Sequence, residues 1–310
     1  MIESWREQMH IGLVHPMAYP GVTNNEELFA SLEEVCRDTF FDVLEVKPTD
    51  SATHARIKAI ADQAAVRLIV AGQPPLLGGK LNLNNPDEAG RRAAIDCVKA
   101  SLDAAYEMNA RLCAVLSGPD PGEADRAQQV DLLVASLVEC CQYAQAQARD
   151  YVVWVTLETF DYNIDKRCLV GPSALAREVA RRVRESVDNF GLTIDLSHLP
   201  LLGESPADCV EQIGDYLIHV HAGNCAMQDP AHAAYGDVHP RFGMLGSEND
   251  VPQLKEFIET LIYSGYFKSD VPTEKPVFTF EVKPLPGEST QLILAGTART
   301  FQRAWAEIGS

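Results

Sequence analysis

Between Thr193 and Gly243 the chain reads TIDLSHLPLL, then YLIHVHAGNC, then YGDVHPRFG, which brings Asp195, His198, His221, Asp237 and His239 within about fifty residues of one another. Each stretch has the pattern of an apolar strand running into a loop. Carboxylates and imidazoles at strand ends are what a divalent metal needs, hard oxygen and borderline nitrogen on a rigid frame. Two further acids sit in the same setting, Glu158 in VVWVTLETF and Glu281 in PVFTFEVKP. Four strand ends therefore offer Glu158, Asp195, His221 and Glu281 as ligands to one ion.

Plainer roles compete with this one. A carboxylate inside an apolar strand needs a compensating cation, and Lys166 or Lys283 would serve Glu158 or Glu281. Asp195 alone would cap a turn. His198, three residues on, is a ligand or, preferably, a substrate contact. His219 and His221 share a parity, so both face inward; His221, nearer the strand end, takes the ligand role and His219 that of a hydrogen-bonded core residue. Glu45, in VLEVKP, is expected to touch substrate or to support the ligands. His15 reaches substrate or is structural. Asp237 and His239 are a second metal site, a substrate contact or loop scaffolding, and Lys166 is a substrate contact if it is not a counter-ion. His10, His54 and His232 are expected on the surface.

Elements that could position these residues follow. Apolar runs of strand length span residues 11–19, 42–48, 67–72, 111–118, 151–160, 191–198, 216–223 and 276–284, with helical patterns between and after them. Eight β/α units predict a single-domain (β/α)8 TIM barrel over residues 1–310. Near-continuous apolar strands fit a parallel sheet covered on both faces. Asn24 or Asn25, Ser173 and Ser205 are the expected helix caps. The stretch from Asn224 to Asp250 lacks a clear element, and a loop that long in one domain is usually functional. Active sites of such barrels lie at the C-terminal ends of the strands, where Glu158, Asp195, His221 and Glu281 fall.

Composition narrows the partners. With 310 residues and 46% hydrophobic content the chain buries a large core. A net charge of −18 disfavours nucleic acid and anionic membranes. A local basic pocket would still admit a phosphate, so sugar phosphates are not excluded. No apolar run approaches the roughly 18 residues of a membrane span, and MIESWREQMH has no signal-peptide pattern. None of the eight cysteines forms a CxxC pair; free buried thiols and a reducing, cytoplasmic location are expected. Cys225, close to the proposed site, is assigned to packing.

With these residues in place, the chain resembles the xylose-isomerase-like barrel superfamily, which includes sugar phosphate isomerases and epimerases and the type-two AP endonucleases. Glu158, Asp195, His221 and Glu281 match the Glu, Asp, His, Glu order of the epimerase branch, and His198 matches the histidine three residues after its Asp. The resemblance implies that Glu158 and Glu281 double as proton-transfer groups. GDVHPRFGMLG is similar to the Asp-x-His pair of the endonuclease branch, but AGQPP and LSGPD stand where that branch has two early histidines. One divalent metal is therefore expected, Mn2+ before Mg2+, Co2+ or Zn2+.

The implied activity is isomerisation or epimerisation of a ketose or keto-polyol through proton abstraction beside a metal-bound carbonyl and an enediolate. The alternative is a lyase, a keto-inositol dehydratase or a 3-keto C-glycoside deglycosidase subunit working with a small partner chain, with His198 or His239 as acid or base. A non-catalytic sugar-binding barrel is a third reading. The expected partners are a small sugar or keto-glycoside and further copies of the chain in a homo-oligomer.

Overall fold

Eight parallel strands, β1 (His10–Val14), β2 (Val43–Val46), β3 (Arg67–Ala71), β4 (Leu112–Leu116), β5 (Trp154–Glu158), β6 (Phe190–Asp195), β7 (Leu217–Ala222) and β8 (Val277–Phe280), pair in sequence order and close into a barrel in a computed structural model that describes residues 4–308. Met1–Glu3 of the N-terminal stretch, and Gly309 and Ser310 at the other end, lie outside the described residues. Helices Asn25–Cys36, Ser51–Ala64, Glu88–Met108, Glu123–Gln147, Ser173–Arg184, Pro206–Ile213, Val251–Tyr263 and Thr290–Ala306 follow the successive strands. All eight expected strands are present, and the fold is the expected TIM barrel. Among the described residues no helix is long and apolar enough to cross a membrane.

The strands stop earlier than the apolar runs suggest. β1 ends at Val14, and His15–Ala18 forms a helical turn. Pro16 explains this, because it has no N–H for the ladder and its fixed φ suits the first helical turn. Asn24 and Ser205 cap their helices by accepting from the Glu27 and Asp208 amides. Ser173 does not cap: Pro172 holds that position, and the Ser173 amide and hydroxyl both donate to Glu204. The QPPLL stretch after β3 forms an unforeseen short helix, Gln73–Gly78. His10 and His54 are buried rather than superficial, at 8% and 4% exposure. His10 lies 3.7 Å from Asp42, while His54 is held between the Thr49 amide and Glu107. The eight cysteines are all free, and six of them are buried.

Period-two alternation stacks the barrel interior in layers. Val43, Ile69, Leu112, Ile218 and Val277 form an apolar cluster at the lower end. Above it lies a hydroxyl layer in which Thr156 and Thr193 share a 2.7 Å hydrogen bond and the Thr279 hydroxyl faces His219 at 3.4 Å. One parity step higher on the same strands stand Glu158, Asp195, His221 and, just past β8, Glu281. Gly12 of β1 pairs with Thr279, and a Cβ there would come within 2.4 Å of the Thr279 hydroxyl oxygen. Overpacking of this kind costs about 1–3 kcal/mol. Gly12→Ala is expected to lower the unfolding free energy by that amount, seen as a lower urea midpoint with an unchanged slope; an unchanged midpoint would show that the hydroxyl layer yields freely.

Candidate metal centre

Lateral pairing brings the four strand-end ligands together. Asp195 stands opposite His221 across β6 and β7, Glu158 opposite Thr193 across β5 and β6, and His221 opposite Thr279 across β7 and β8. As a result, one ligand atom each from Glu158, Asp195, His221 and Glu281 lies within 4.8 Å of all the others. The first three are 0–1% exposed, while the Glu281 side chain keeps 13%. Three carboxylates and one imidazole in a dry pocket are a donor set for a divalent cation.

The hydrogen bonds orient each ligand. Asp195 Oδ1 accepts from the Ser197 amide at 2.6 Å and the Gly223 amide at 3.0 Å, but its buried Oδ2 has no partner. Glu158 Oε2 accepts from the Gln73 amide nitrogen at 2.7 Å, and Oε1 faces His221 Nδ1 at 3.1 Å. His221 Nε2 donates to Glu45 at 3.0 Å, while Nδ1 is directed at Glu158 and Glu281. In a metal-bound state Nδ1 would be the ligand nitrogen and Glu45 the carboxylate that orients the ring. Burial opposes charging of His221, yet Glu45 and Glu158 hold its pKa well above the usual value. A divalent ion among these donors would take the place of the imidazole proton. The orphaned Asp195 oxygen and the convergent donors fit a divalent ion.

Glu45 is held by two histidine rings rather than by a lysine or arginine. It is completely buried and accepts from His219 at 2.7 Å as well as from His221. Burial would raise its pKa, but His221 and His219 hold the carboxyl far below the ordinary range. His219 is the hydrogen-bonded core residue anticipated. Neither lysine neutralises the ligand glutamates: Lys166 pairs with Asp165 at 3.0 Å and Asp237 at 3.3 Å, and Lys283 forms no ion pair with Glu281. Gln73 is the contact that the sequence reading missed. Its signal was present, a polar residue directly after an apolar strand, at a position read only for a missing histidine.

Beside the four ligands lies a second polar cluster. Asp237 Oδ1 accepts from His198 Nε2 at 3.0 Å and from His239 Nε2 at 2.8 Å. His198 Nδ1 donates to the Thr159 carbonyl at 2.7 Å, so both ring nitrogens face acceptors and the ring is an imidazolium. Burial opposes this charge, but Asp237, with Asp195 and Glu158 behind it, pushes the pKa of His198 up to about 10. His239 is likewise pushed up to about 9, against burial, by Glu281, Asp237 and Asp195. Its Nε2 lies 3.6 Å from Glu281, and its backbone takes the left-handed region at φ 57°. A side chain on Gly223 would meet His239 Nδ1 at 2.6 Å, so this close approach requires glycine. His15 stands apart: it is buried, bonded to Ser31 at 2.9 Å and stacked on Tyr19, with its pKa lowered to about 4 by burial and then by Lys47.

The long loop is ordered around two asparagines. Asn249 donates to the Leu196 and Gly223 carbonyls, and Asn224 donates to Arg241 O and Ser247 Oγ. Asp161 receives the Ile164, Asp165, Lys166 and Arg167 amides and so fixes the segment that carries Lys166.

Comparison with solved structures matches this architecture. A D-tagatose 3-epimerase-like protein superposes with a TM-score of 0.71 at 19% identity, covering 96% of this chain and 98% of the other. An L-ribulose 3-epimerase gives 0.70 at 16% identity over 96% and 92%. The IolI protein with a bound zinc atom gives 0.70 at 15% identity over 97% and 100%. In sequence, the uncharacterized protein MJ1311 of Methanocaldococcus jannaschii is 25% identical over 222 residues, 68% of this chain and 71% of that protein. The model of the xylose isomerase-like TIM barrel family matches residues 15–293, and with most of its length inside that match the chain belongs to this family.

Proposed function

We propose that the protein is a divalent-metal-dependent isomerase or epimerase of a keto-sugar. The observation that carries this reading is the convergence of Glu158, Asp195, His221 and Glu281 donors within 4.8 Å, with two glutamates on either side of His221 Nδ1. The sugar epimerases and zinc-bound IolI among the structural relatives support it. Mn2+ is the preferred ion, with Mg2+, Co2+ and Zn2+ compatible with the same donors.

When bound, the metal polarises a substrate carbonyl and stabilises the negative charge that develops on its oxygen. The chain supplies the proton movements. Glu158 is fixed by Gln73, and Glu281 is the one ligand open to solvent. One of these carboxylates takes the proton from the carbon beside the carbonyl; the other returns a proton on the opposite face, which inverts the centre. His198 has no free lone pair and acts as a fixed cation that orients Asp237 rather than as a base. Lys166 neutralises the same carboxylate from the loop side.

The second reading is elimination by a lyase. It is favoured by one observation: protonated His239 lies 3.6 Å from Glu281 and is placed to give a proton to a leaving group. The two readings share the first step and differ in what His239 does. A small-molecule substrate, a homo-oligomer and a cytoplasmic location belong to the same proposal, and the −18 charge supports the expectation of no nucleic acid or anionic membrane partner.

The purified protein should hold about one equivalent of divalent metal, measured by elemental analysis. Glu158→Gln, Asp195→Asn and His221→Ala are each expected to empty the site in a folded barrel, and stoichiometric metal in all three would remove the ligand assignment. Glu45→Gln is expected to weaken metal binding about 10–100-fold, the usual effect of losing a supporting carboxylate.

The reaction itself is read by solvent deuterium. Metal-loaded protein should wash deuterium into the position beside the carbonyl of a ketose or keto-glycoside. In His239→Ala an epimerase should lose exchange and turnover together, whereas a lyase should keep exchange and lose product. No exchange with any such sugar under any of the four metals would end the proton-transfer reading.

The charge on His198 has a pH signature. Its folded pKa, about 10, is above the unfolded value near 6.5. Its contribution to metal-free stability is therefore complete below pH 6.5 and is lost as pH rises through 10. The stability advantage of wild type over His198→Asn should shrink across that window in thermal unfolding; an advantage that grows with pH would contradict the imidazolium.

A further inference from the structure

Access to the metal centre is one-sided. Glu45, Glu158, Asp195, His198, His221, Asp237 and His239 have side chains 0–2% exposed, and only Glu281 opens outward, at 13%. The part of a substrate beyond its reacting carbons must therefore lie on the Glu281 side. There the structure has a groove walled by Tyr19, Val22, Val238, Leu285 and Pro286, with Lys283 in its lining. The groove neighbours the centre along the chain at two points. Val238 sits between Asp237 and His239, and the Lys283 amide donates to the His239 carbonyl at 2.7 Å.

The polar groups of this groove are satisfied, except for one. Tyr19 donates to Glu34, Thr290 donates to the Ala18 carbonyl, and the Glu288 carboxylate accepts from Arg241 and the Leu285 amide. The Lys283 ammonium has no ion pair among the described residues. In a chain of net charge −18, a half-buried lysine left without a carboxylate beside an active site is a vacant counter-charge. Lys47, the nearby cation just past β2, lines a separate pocket with Tyr19, Val22 and His15.

Resting on the keto-sugar reading above, we infer that this groove is the subsite for the far end of the substrate and that Lys283 reads an anionic group there. The substrate class is thereby narrowed to keto-sugars with an anion remote from the carbonyl, either a phosphate ester or a carboxylate. The apolar walls border that contact, and Lys283 is a specificity residue that takes no part in the proton transfer.

The test compares a free six-carbon 2-ketose, its 6-phosphate and the matching 2-keto-hexuronate on Mn2+-loaded protein. Equilibrium binding and solvent deuterium exchange are measured for each. Wild type is expected to bind one or both anionic sugars at least about tenfold more tightly than the free ketose, as a hydrogen-bonded charge provides. Whichever anion gains more identifies the source. Lys283→Met should lower that preference about tenfold or more, Lys283→Arg should restore most of it, and Lys47→Met should leave it in place. The inference is overturned if wild type shows no preference, if Lys283→Met keeps the preference, or if no sugar binds. Exchange on the ketose without any anionic preference removes the subsite and leaves the proposed reaction standing. A Lys283-dependent preference with no exchange on any sugar removes the reaction and leaves the subsite standing.

Discussion

Glu45, Glu158, Asp195, Asp237 and Glu281 converge on the upper end of a barrel from which water is almost excluded. Each such carboxylate costs several kcal/mol to desolvate unless positive charge stands beside it. The polar architecture of the molecule follows from meeting that requirement. Lys166 and protonated His198 and His239 surround Asp237. His221 takes up a proton between Glu45, Glu158 and Glu281. The arrangement still leaves Asp195 Oδ2 and His239 Nδ1 buried without partners, 3.8 Å apart. A divalent cation among Glu158, Asp195, His221 and Glu281 would supply two positive charges where acceptors outnumber donors, and it would take the place of the His221 proton.

This constraint explains the layering of the barrel. An apolar floor and a layer of threonine hydroxyls raise the charged groups to the strand ends, where loops can add counter-charges. Gly12 and Gly223 leave room at the two tightest places, one against Thr279 and one against His239. The loop from Asn224 to Asp250 is long because it must return Asp237 and His239 over the barrel mouth and hold them without a helix or strand of its own. Asn224 and Asn249 do that work through hydrogen bonds to the backbone and to Ser247.

Much of this was legible before any coordinates. Apolar runs separated by helical patterns specify eight β/α units, and parity along β5 to β8 places Glu158, Asp195, His221 and Glu281 on one face. What could not be read was set by contacts distant in sequence. Glu45 serves His219 and His221 from 174 and 176 positions away, so its role depends on barrel closure. Gln73, just past β3, reaches Glu158 on β5 across β4, and a glutamine after an apolar run carries no chemical signature of its own. His10 and His54 look like surface residues because their partners, Asp42 and Glu107, are brought to them only by packing.

The division of labour between the two glutamates also follows from position. Glu158 ends a strand and is held on both oxygens, by Gln73 and by His221, so its geometry is rigid. Glu281 lies one residue past β8, keeps solvent contact and faces two rings, His221 at 3.0 Å and His239 at 3.6 Å. A group that must exchange its proton with water between turnovers needs that opening, and a group that must keep a metal in place needs the rigidity. In the proposed mechanism the residue fixed on both oxygens would therefore be the anchor, and the residue beside His239 the shuttle. On the proposed reading the same opening past β8 would admit substrate, and the short segment between Phe280 and Pro286 would then carry both a proton-transfer group and the contact to the far end of the sugar.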